Sequence, residues 1–431
     1  MYHIARGVSD YFWDDAYERR QLEVTLLELF RSWGYYDVIL PMFEHAETIR
    51  SHYSNSRRSE VYHFQDPEGS MLALRPDMTI GVARLVGMRL FDVISPQRFC
   101  YVGSVFRHDE PQAGRQREFY QAGIELIGSE APDADAEVLA LTVRALQASG
   151  LQKFRLLLGQ PRFINGLLQS LSLSAAEEKT LTLTLQRKSE PALLEFVQDL
   201  SIAPKVKTVF ENLLGLNGKD HKQILQLAKR NCLNAEMEMA VEDVQTLYDL
   251  LNAHGVDHLV DLDLTEIRNI GYYTGITFQA FSPGIGFGIA GGGRYDNLIG
   301  TFGPSKPAIG VALGVERILI ARRAQTGQSG SATQIAPHFL VATHGSPVCH
   351  QLIEDWRKSG IRVAIDLNNL HGNALCQAAQ SYGIPCALSW KDNGFYVYDS
   401  LNNPDSSSWF VKQEESRQLI QPIIDKLVTN R

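Results

Sequence analysis

Between residues 15 and 33 the apolar positions Leu22, Val24, Leu26, Leu27, Leu29 and Phe30 recur at roughly helical spacing, and Gly34 stands where a C-terminal cap belongs. This predicts an amphipathic helix. It runs into residues 35–40, an apolar and β-branched stretch stopped by Pro41, which reads as a strand. Two strand-like runs between residues 97 and 128 flank a polar stretch at 108–117, the pattern of a long antiparallel hairpin, and a helix follows over about 133–149. From roughly 174 to 252 β-branched runs thin out and helical patterns appear at 191–200, 218–230 and 241–251, which predicts an inserted helical subdomain. Strands return at 272–281 and 286–290, followed by Gly291-Gly292-Gly293-Arg294-Tyr295-Asp296 and a helix beginning near Gly310. Residues 325–336, rich in Gln, Thr, Ser and Gly, read as a linker. Beyond it, strand patterns at 338–342, 362–365, 385–388 and 395–398 alternate with helical ones at 348–358, 373–382 and 415–427, as in a small α/β domain.

Composition narrows the class. A chain of 431 residues, 44% apolar and 21% charged, is expected to fold into two or three globular domains. Its 41 Lys and Arg against 49 Asp and Glu give a formal charge of −8, so a nucleic-acid role would need a local basic patch. Cys100, Cys232, Cys349, Cys376 and Cys386 are scattered and include no Cys-x-x-Cys pair, which argues against a disulfide framework or a cysteine zinc site and suits a cytoplasmic protein. Neither a signal peptide nor a run of about 18 apolar residues is visible, so secretion and membrane spanning are not expected. The twelve histidines form no convincing metal pair, and no Ser/His/Asp arrangement stands out. Metal hydrolysis and serine-type catalysis therefore have no positive evidence, and no metal or cofactor is expected.

The second arm of the hairpin carries the most chemical information. Strand alternation sends Phe119, Gln121, Gly123, Glu125 and Ile127 to one face and Tyr120, Ala122, Ile124 and Leu126 to the other. Gln121 and Glu125 can accept hydrogen bonds from a small cationic or amine-bearing ligand, with Gly123 leaving room between them. A half-exposed strand with solvated polar groups fits the same pattern. Arg107 ends the first arm and could bridge a carboxylate or phosphate, though interleaved Asp109, Glu110 and Glu118 allow a mutually screened surface instead. Tyr272 and Tyr273 offer an aromatic wall, or core and rim packing. The run Gly291–Gly293 lacks both the Walker lysine and the dinucleotide spacing, so close strand packing is its expected role.

Together these segments resemble the catalytic core of class II aminoacyl-tRNA synthetases, specifically the histidyl-tRNA synthetase family. The resemblance is carried by Arg6-Gly7-Val8-Ser9-Asp10, Leu40-Pro41-Met42-Phe43-Glu44, Leu74-Arg75-Pro76-Asp77-Met78-Thr79, the motif 2 stretch from Phe106 to Arg115, the stretch from Arg268 to Gly275, and the motif 3 region from Gly292 to Asp296 and Gly310 to Arg317. It covers about residues 3–322. It implies an α+β fold: a class II synthetase-like antiparallel sheet flanked by helices over residues 1–324, with a helical insertion at about 174–252. A linker at 325–336 would then join a C-terminal α/β domain at 337–431 that resembles an anticodon-binding domain. It also implies that Glu125 and Tyr272 or Tyr273 hold an imidazole, that Asp77, Thr79 and Gln121 take an α-ammonium, and that Arg268 faces a carboxylate or an adenylate phosphate. Arg107 and Arg317 would be the nucleotide-gripping arginines of motifs 2 and 3.

Departures from the synthetase pattern separate two branches. Arg75-Pro76-Asp77-Met78-Thr79 stands for Arg-Pro-Glu-Gly-Thr, placing Met78 where a glycine lies beside the ligand. Arg107-His108-Asp109-Glu110-Pro111 reverses a charge where phosphates or a tRNA end would lie, and Arg268-Asn269-Ile270-Gly271-Tyr272-Tyr273 drops an acidic residue. This wording is most similar to the synthetase-derived regulatory subunits of ATP phosphoribosyltransferase. The resemblance then implies a non-catalytic, histidine-sensing partner of a short-form catalytic subunit in the first step of histidine biosynthesis, with L-histidine as effector. Arg107 and Arg317 would be remnants of a nucleotide site, and a homodimer within the complex is implied by motif 1. From residue 334 onward eight Lys and Arg stand against nine Asp and Glu, a net −1, which argues against tRNA as a partner. The rival reading is an active histidyl-tRNA synthetase.

Overall fold

A computed structural model of the chain describes residues 3–51, 58–108, 116–171, 173–198, 202, 204–213, 215–266, 273–327, 336–399 and 408–415. The expected motif 2 loop at 109–115, the segment 267–272 with Arg268 and Tyr272, and nearly all of the helix expected at 415–427 lie outside the described residues. The chain divides into two compact units, Met1–Asp10 with Arg19–Gln328, and Tyr11–Glu18 with Ser329–Arg431.

In the larger unit nine described strands form one sheet in the order Tyr36–Asp37, Gln97–Phe106, Glu118–Ile127, Ala308–Gly314, Ala290–Arg294, Thr277–Phe281, Arg155–Gly159, Val260–Asp263 and Asn217–Gly218. The six from Gln97–Phe106 to Arg155–Gly159 pair antiparallel throughout. Both hairpin arms are ten residues long, as their alternation predicts. One face of the sheet is covered by helices Trp13–Ser32 and Pro132–Ala148, whose Leu22, Leu26, Phe30, Val138 and Leu139 are buried with Ile124 and Leu126 of the second arm in a single apolar core. The opposite face carries the helix Thr79–Arg89, whose Ile80 is buried with Ala73 of a three-stranded sheet of Phe43–His45, Met71–Leu74 and His63–Gln65, which the hydrophobic pattern did not disclose.

Several expectations change for physical reasons. The strand expected at 35–40 shrinks to Tyr36–Asp37, because Tyr35 turns into the core and the carbonyls of Leu40 and Pro41 are drawn away by Arg75. The helix expected near Gly310 starts at Val315; Gly310 sits inside the preceding strand. The strand expected at 286–290 is displaced to Ala290–Arg294, so the glycine run is itself a strand. Gln325 is the penultimate helical residue rather than the start of a linker: its amide spans Gln152, Lys153 and Ser282. The helices at Ala175–Arg187, Glu190–Gln198, Pro204–Leu213, His221–Arg230 and Ala235–Ala253 do not stand apart as a subdomain with its own core. Leu181, Leu193, Phe210, Leu225 and Leu247 belong to the same buried cluster as the sheet, and Asn217–Gly218 extends that sheet.

In the smaller unit the sheet order is Val363–Ile365, Phe339–Ala342, Cys386–Lys391, Gly394–Asp399 and Trp409–Lys412, the first three parallel. Alternation along Phe339–Ala342 explains its two cores. Phe339 and Val341 pack with Trp356 and Phe395, whereas Leu340 and Ala342 pack with Leu375 and Ala379 from the helix Gly372–Ser381.

Gly292 shows why a glycine run can occupy the middle of a sheet. A Cβ there would stand 2.3 Å from the Gly310 carbonyl oxygen and 2.6 Å from the Phe278 ring. Gly292→Ala is therefore expected to destabilise the fold by about 1–3 kcal/mol through overpacking. Gly286→Ala, where a Cβ meets nothing within 4 Å, serves as the neutral control, and urea unfolding midpoints compare the two.

Candidate functional site

The register aligns Phe99, Glu125, Gly310, Gly293, Thr277 and Gly159 across six strands, with their side chains on one face. Neighbouring rows bring Tyr101 opposite Gly123 and Gly103 opposite Gln121. The glycines form a floor on which long polar side chains lie flat. A Cβ on Gly310 would fall 1.7 Å from Glu125 Oε2, one on Gly123 2.5 Å from the Tyr101 hydroxyl, one on Gly103 2.8 Å from Arg75 Nη2, and one on Gly293 3.0 Å from the Tyr273 ring. Gly310 and Gly103 are thus required by the head group above them, whereas at Gly123 and Gly293 a neighbouring backbone carbonyl, that of Val311 or Ile276, stands as close or closer.

Glu125 is the centre of this layer and is 1% exposed. Its Oε1 accepts from Thr79 Oγ1 at 2.9 Å and from the Tyr101 hydroxyl at 3.0 Å, and its Oε2 accepts from the Tyr295 hydroxyl at 2.5 Å. Burial pushes its carboxyl up to about 7, against which the three hydroxyl bonds favour the charged form. The space above Gly123 is therefore not open to a ligand as the strand pattern suggested; the Tyr101 phenol fills it. Gln121, two residues along the same face, is 7% exposed and its Oε1 has no hydrogen-bond partner. A buried amide oxygen left without a donor costs about 1–3 kcal/mol, and among the described residues Gln97, Gln160 and Thr277 carry such an oxygen too.

The other expected residues assemble around this pair in part. Asp77 is buried and accepts from the Ile80 amide at 3.2 Å, holding the first turn of the helix Thr79–Arg89, and Thr79 uses its hydroxyl on Glu125. Met78 is fully buried, its methyl 3.4 Å from where a Gly103 Cβ would be. Tyr273 is half-buried against the cluster containing Tyr101 and Tyr295. Arg107 donates from Nε to the Pro76 carbonyl at 2.8 Å and lies 5.3 Å from the Phe119 ring centre. Arg317 donates to the Gly288 carbonyl at 2.9 Å and lies 5.6 Å from the Phe287 ring centre. Arg268 and Tyr272 lie outside the described residues.

Sequence reasoning missed Tyr101, Tyr295 and Arg75 as members of the site. Tyr101 shares strand parity with Phe99 and Gly103, and Tyr295 follows the glycine run, but only the register shows that both reach Glu125. Among the described residues no group of three or more His, Cys, Asp or Glu could hold a metal ion, and no described helix is long and apolar enough to cross a membrane.

Known proteins can now be set beside this geometry. The family model described as histidyl-tRNA synthetase matches residues 7–318. The ATP phosphoribosyltransferase regulatory subunit of Halothermothrix orenii is 36% identical over 358 residues, 83% of this chain and 84% of that protein. That of Moorella thermoacetica is 37% identical over 363 residues, 84% of this chain and 92% of that protein. A crystal structure described as an ATP phosphoribosyltransferase regulatory subunit/histidyl-tRNA synthetase from Bacillus halodurans superposes with a TM-score of 0.77 at 27% identity, covering 86% of this chain and 94% of that one. Histidyl-tRNA synthetase from Nostoc sp. PCC 7120 shares the fold with a TM-score of 0.80 at 19% identity, covering 98% and 99%. With a class II synthetase-like core and relatives that match most of its length, the chain belongs to the family of ATP phosphoribosyltransferase regulatory subunits.

Proposed function

We propose that this chain is a non-catalytic, histidine-sensing subunit that assembles with a short-form ATP phosphoribosyltransferase catalytic subunit and mediates feedback control of the first step of histidine biosynthesis. The observation that carries the reading is the Gln121–Glu125 face: a buried carboxylate beside an amide oxygen with no partner. Three hydroxyls occupy three of the roughly four lone-pair directions of Glu125, which leaves one for an imidazole N–H. Gln121 Oε1, with Asp77 and Thr79 at the start of the helix Thr79–Arg89, would take the α-ammonium, and Tyr273, with Tyr272, would wall the ring. Such a site needs only a different affinity for histidine in two states of the complex to act as a sensor. Arg107 and Arg317, each bonded to a backbone carbonyl, are read as remnants of a nucleotide site. The protein would work in the cytoplasm as a homodimer within the hetero-oligomer, with no tRNA partner, in keeping with the net −1 charge of residues 334–431.

Two measurements on the purified full chain test this reading. Calorimetry is expected to show L-histidine binding that Gln121→Ala weakens about 10- to 100-fold, the loss of one charge-assisted hydrogen bond. The wild-type chain is also expected to co-purify with a short-form catalytic subunit and to show no histidine-dependent ATP–pyrophosphate exchange. Exchange at a synthetase-like rate would establish the rival reading of an active histidyl-tRNA synthetase.

Glu125 also imposes a pH dependence. Its folded carboxyl is pushed up to about 7 from the ordinary value of 4.5, so between these pH values the folded chain holds a proton that the unfolded chain has lost. Stability of the ligand-free protein then falls as pH rises through that window and levels off above it. Glu125→Gln is expected to remove this slope, worth roughly 3 kcal/mol between pH 4.5 and 7, as read from urea unfolding across the range.

A further inference from the structure

Among the described residues the guanidinium of Arg75 is buried without an acidic partner. The residue is 6% exposed; Nε donates to the Ser104 carbonyl at 2.7 Å, and Nη1 donates to the carbonyls of Leu40 and Pro41 at 2.7 and 3.1 Å. All three acceptors are neutral. Among the described residues no carboxylate stands within ion-pair distance of it, and Glu44, the acid that acts on it from further away, is engaged by Arg84 at 2.7 and 3.0 Å. Carbonyl bonds satisfy donors but do not balance a charge, and a buried cation with no counter-ion is expensive to keep. Consistent with this, burial holds the group below its ordinary pKa.

The remaining nitrogen, Nη2, makes none of these bonds. It lies over Gly103, 2.8 Å from where a Cβ would stand, and Gly103 is the register partner of Gln121 on the same sheet face. A cationic donor and an amide oxygen without a donor therefore lie side by side at the edge of the Glu125 layer. That pair complements the two ends of an amino-acid zwitterion: the acceptor suits an ammonium and the guanidinium suits a carboxylate.

We propose that Arg75, through Nη2, holds the α-carboxylate of the amino-acid ligand while Gln121 takes its α-ammonium. The inference rests on the histidine-binding reading above, and it gives Arg75 the part that the family resemblance implies for Arg268. A clamp that only ties Leu40, Pro41 and Ser104 together would affect every ligand of the site alike. A carboxylate partner would affect only ligands that carry one.

The test is the ratio of affinities for L-histidine and histamine, which lacks the carboxylate, measured by calorimetry on the full chain and on Arg75→Met, Arg75→Lys and Arg268→Met. The wild-type chain is expected to prefer histidine by about 10- to 100-fold, the worth of a charge-assisted contact. Arg75→Met should bring the ratio close to one while histamine affinity stays within about twofold. Arg75→Lys, which keeps the charge but loses the planar fork, should retain part of the preference and keeps the test open if the methionine variant does not fold. An unchanged ratio in the Arg75 variants, an equal loss of both ligands, or a collapse of the ratio only in Arg268→Met would overturn the inference while leaving the histidine reading in place. A wild-type chain that binds no histidine would overturn both.

Discussion

The structure turns on one buried carboxylate. Glu125 sits in the middle of a mainly antiparallel sheet, and its charge is tolerated because three hydroxyls from three different elements converge on it. Thr79 comes from the helix on the sheet face, Tyr101 from the neighbouring strand, and Tyr295 from beyond the glycine run. Together they offset part of the cost of burying this carboxylate, which burial still pushes up to about 7. The floor follows from the same constraint. Gly310 and Gly123 are glycines because the carboxylate and the Tyr101 phenol occupy the volume a Cβ would need.

That arrangement suits recognition of a small ligand. The polar groups are held by one another and by the sheet, so they are in place before anything binds, and the cost of ordering them is met on folding. Gln121 and Arg75 are the members left with unspent capacity, one an acceptor and the other a charge. The arginines that the synthetase resemblance links to a nucleotide are each engaged with a carbonyl, Arg107 with Pro76 and Arg317 with Gly288. Under the proposed sensing role this balance is what a regulatory subunit built on a synthetase core would need, because sensing an amino acid requires its contacts and not the phosphate chemistry.

Legibility in the sequence followed the range of the interactions. The helix Trp13–Ser32, the hairpin arms and three helical stretches of the insertion were readable because their periodicity lies within one element, whereas the helices Ala175–Arg187 and Pro204–Leu213 were not singled out. The parity argument for Gln121 and Glu125 held for the same reason: a strand alternates whatever it packs against. The short strands Phe43–His45, His63–Gln65 and Met71–Leu74 were not readable, being only three or four residues long and, in the first two, largely exposed. The insertion was read as a helical subdomain, yet its helices share the core of the sheet, because hydrophobic spacing says that a face is buried and not against what.

The sequence by itself determined the element types, the face shared by Gln121 and Glu125, and, through motifs in the right order, the class II synthetase resemblance. Only the tertiary structure decided that Glu125 is enclosed by Thr79, Tyr101 and Tyr295, that Tyr101 fills the gap at Gly123, and that Arg75 lies uncompensated beside Gln121. The physical reason is separation along the chain. The hydrogen bonds to Glu125 join residues 24 to 170 positions apart, and the burial that gives these contacts their energy exists only once the strands are in register.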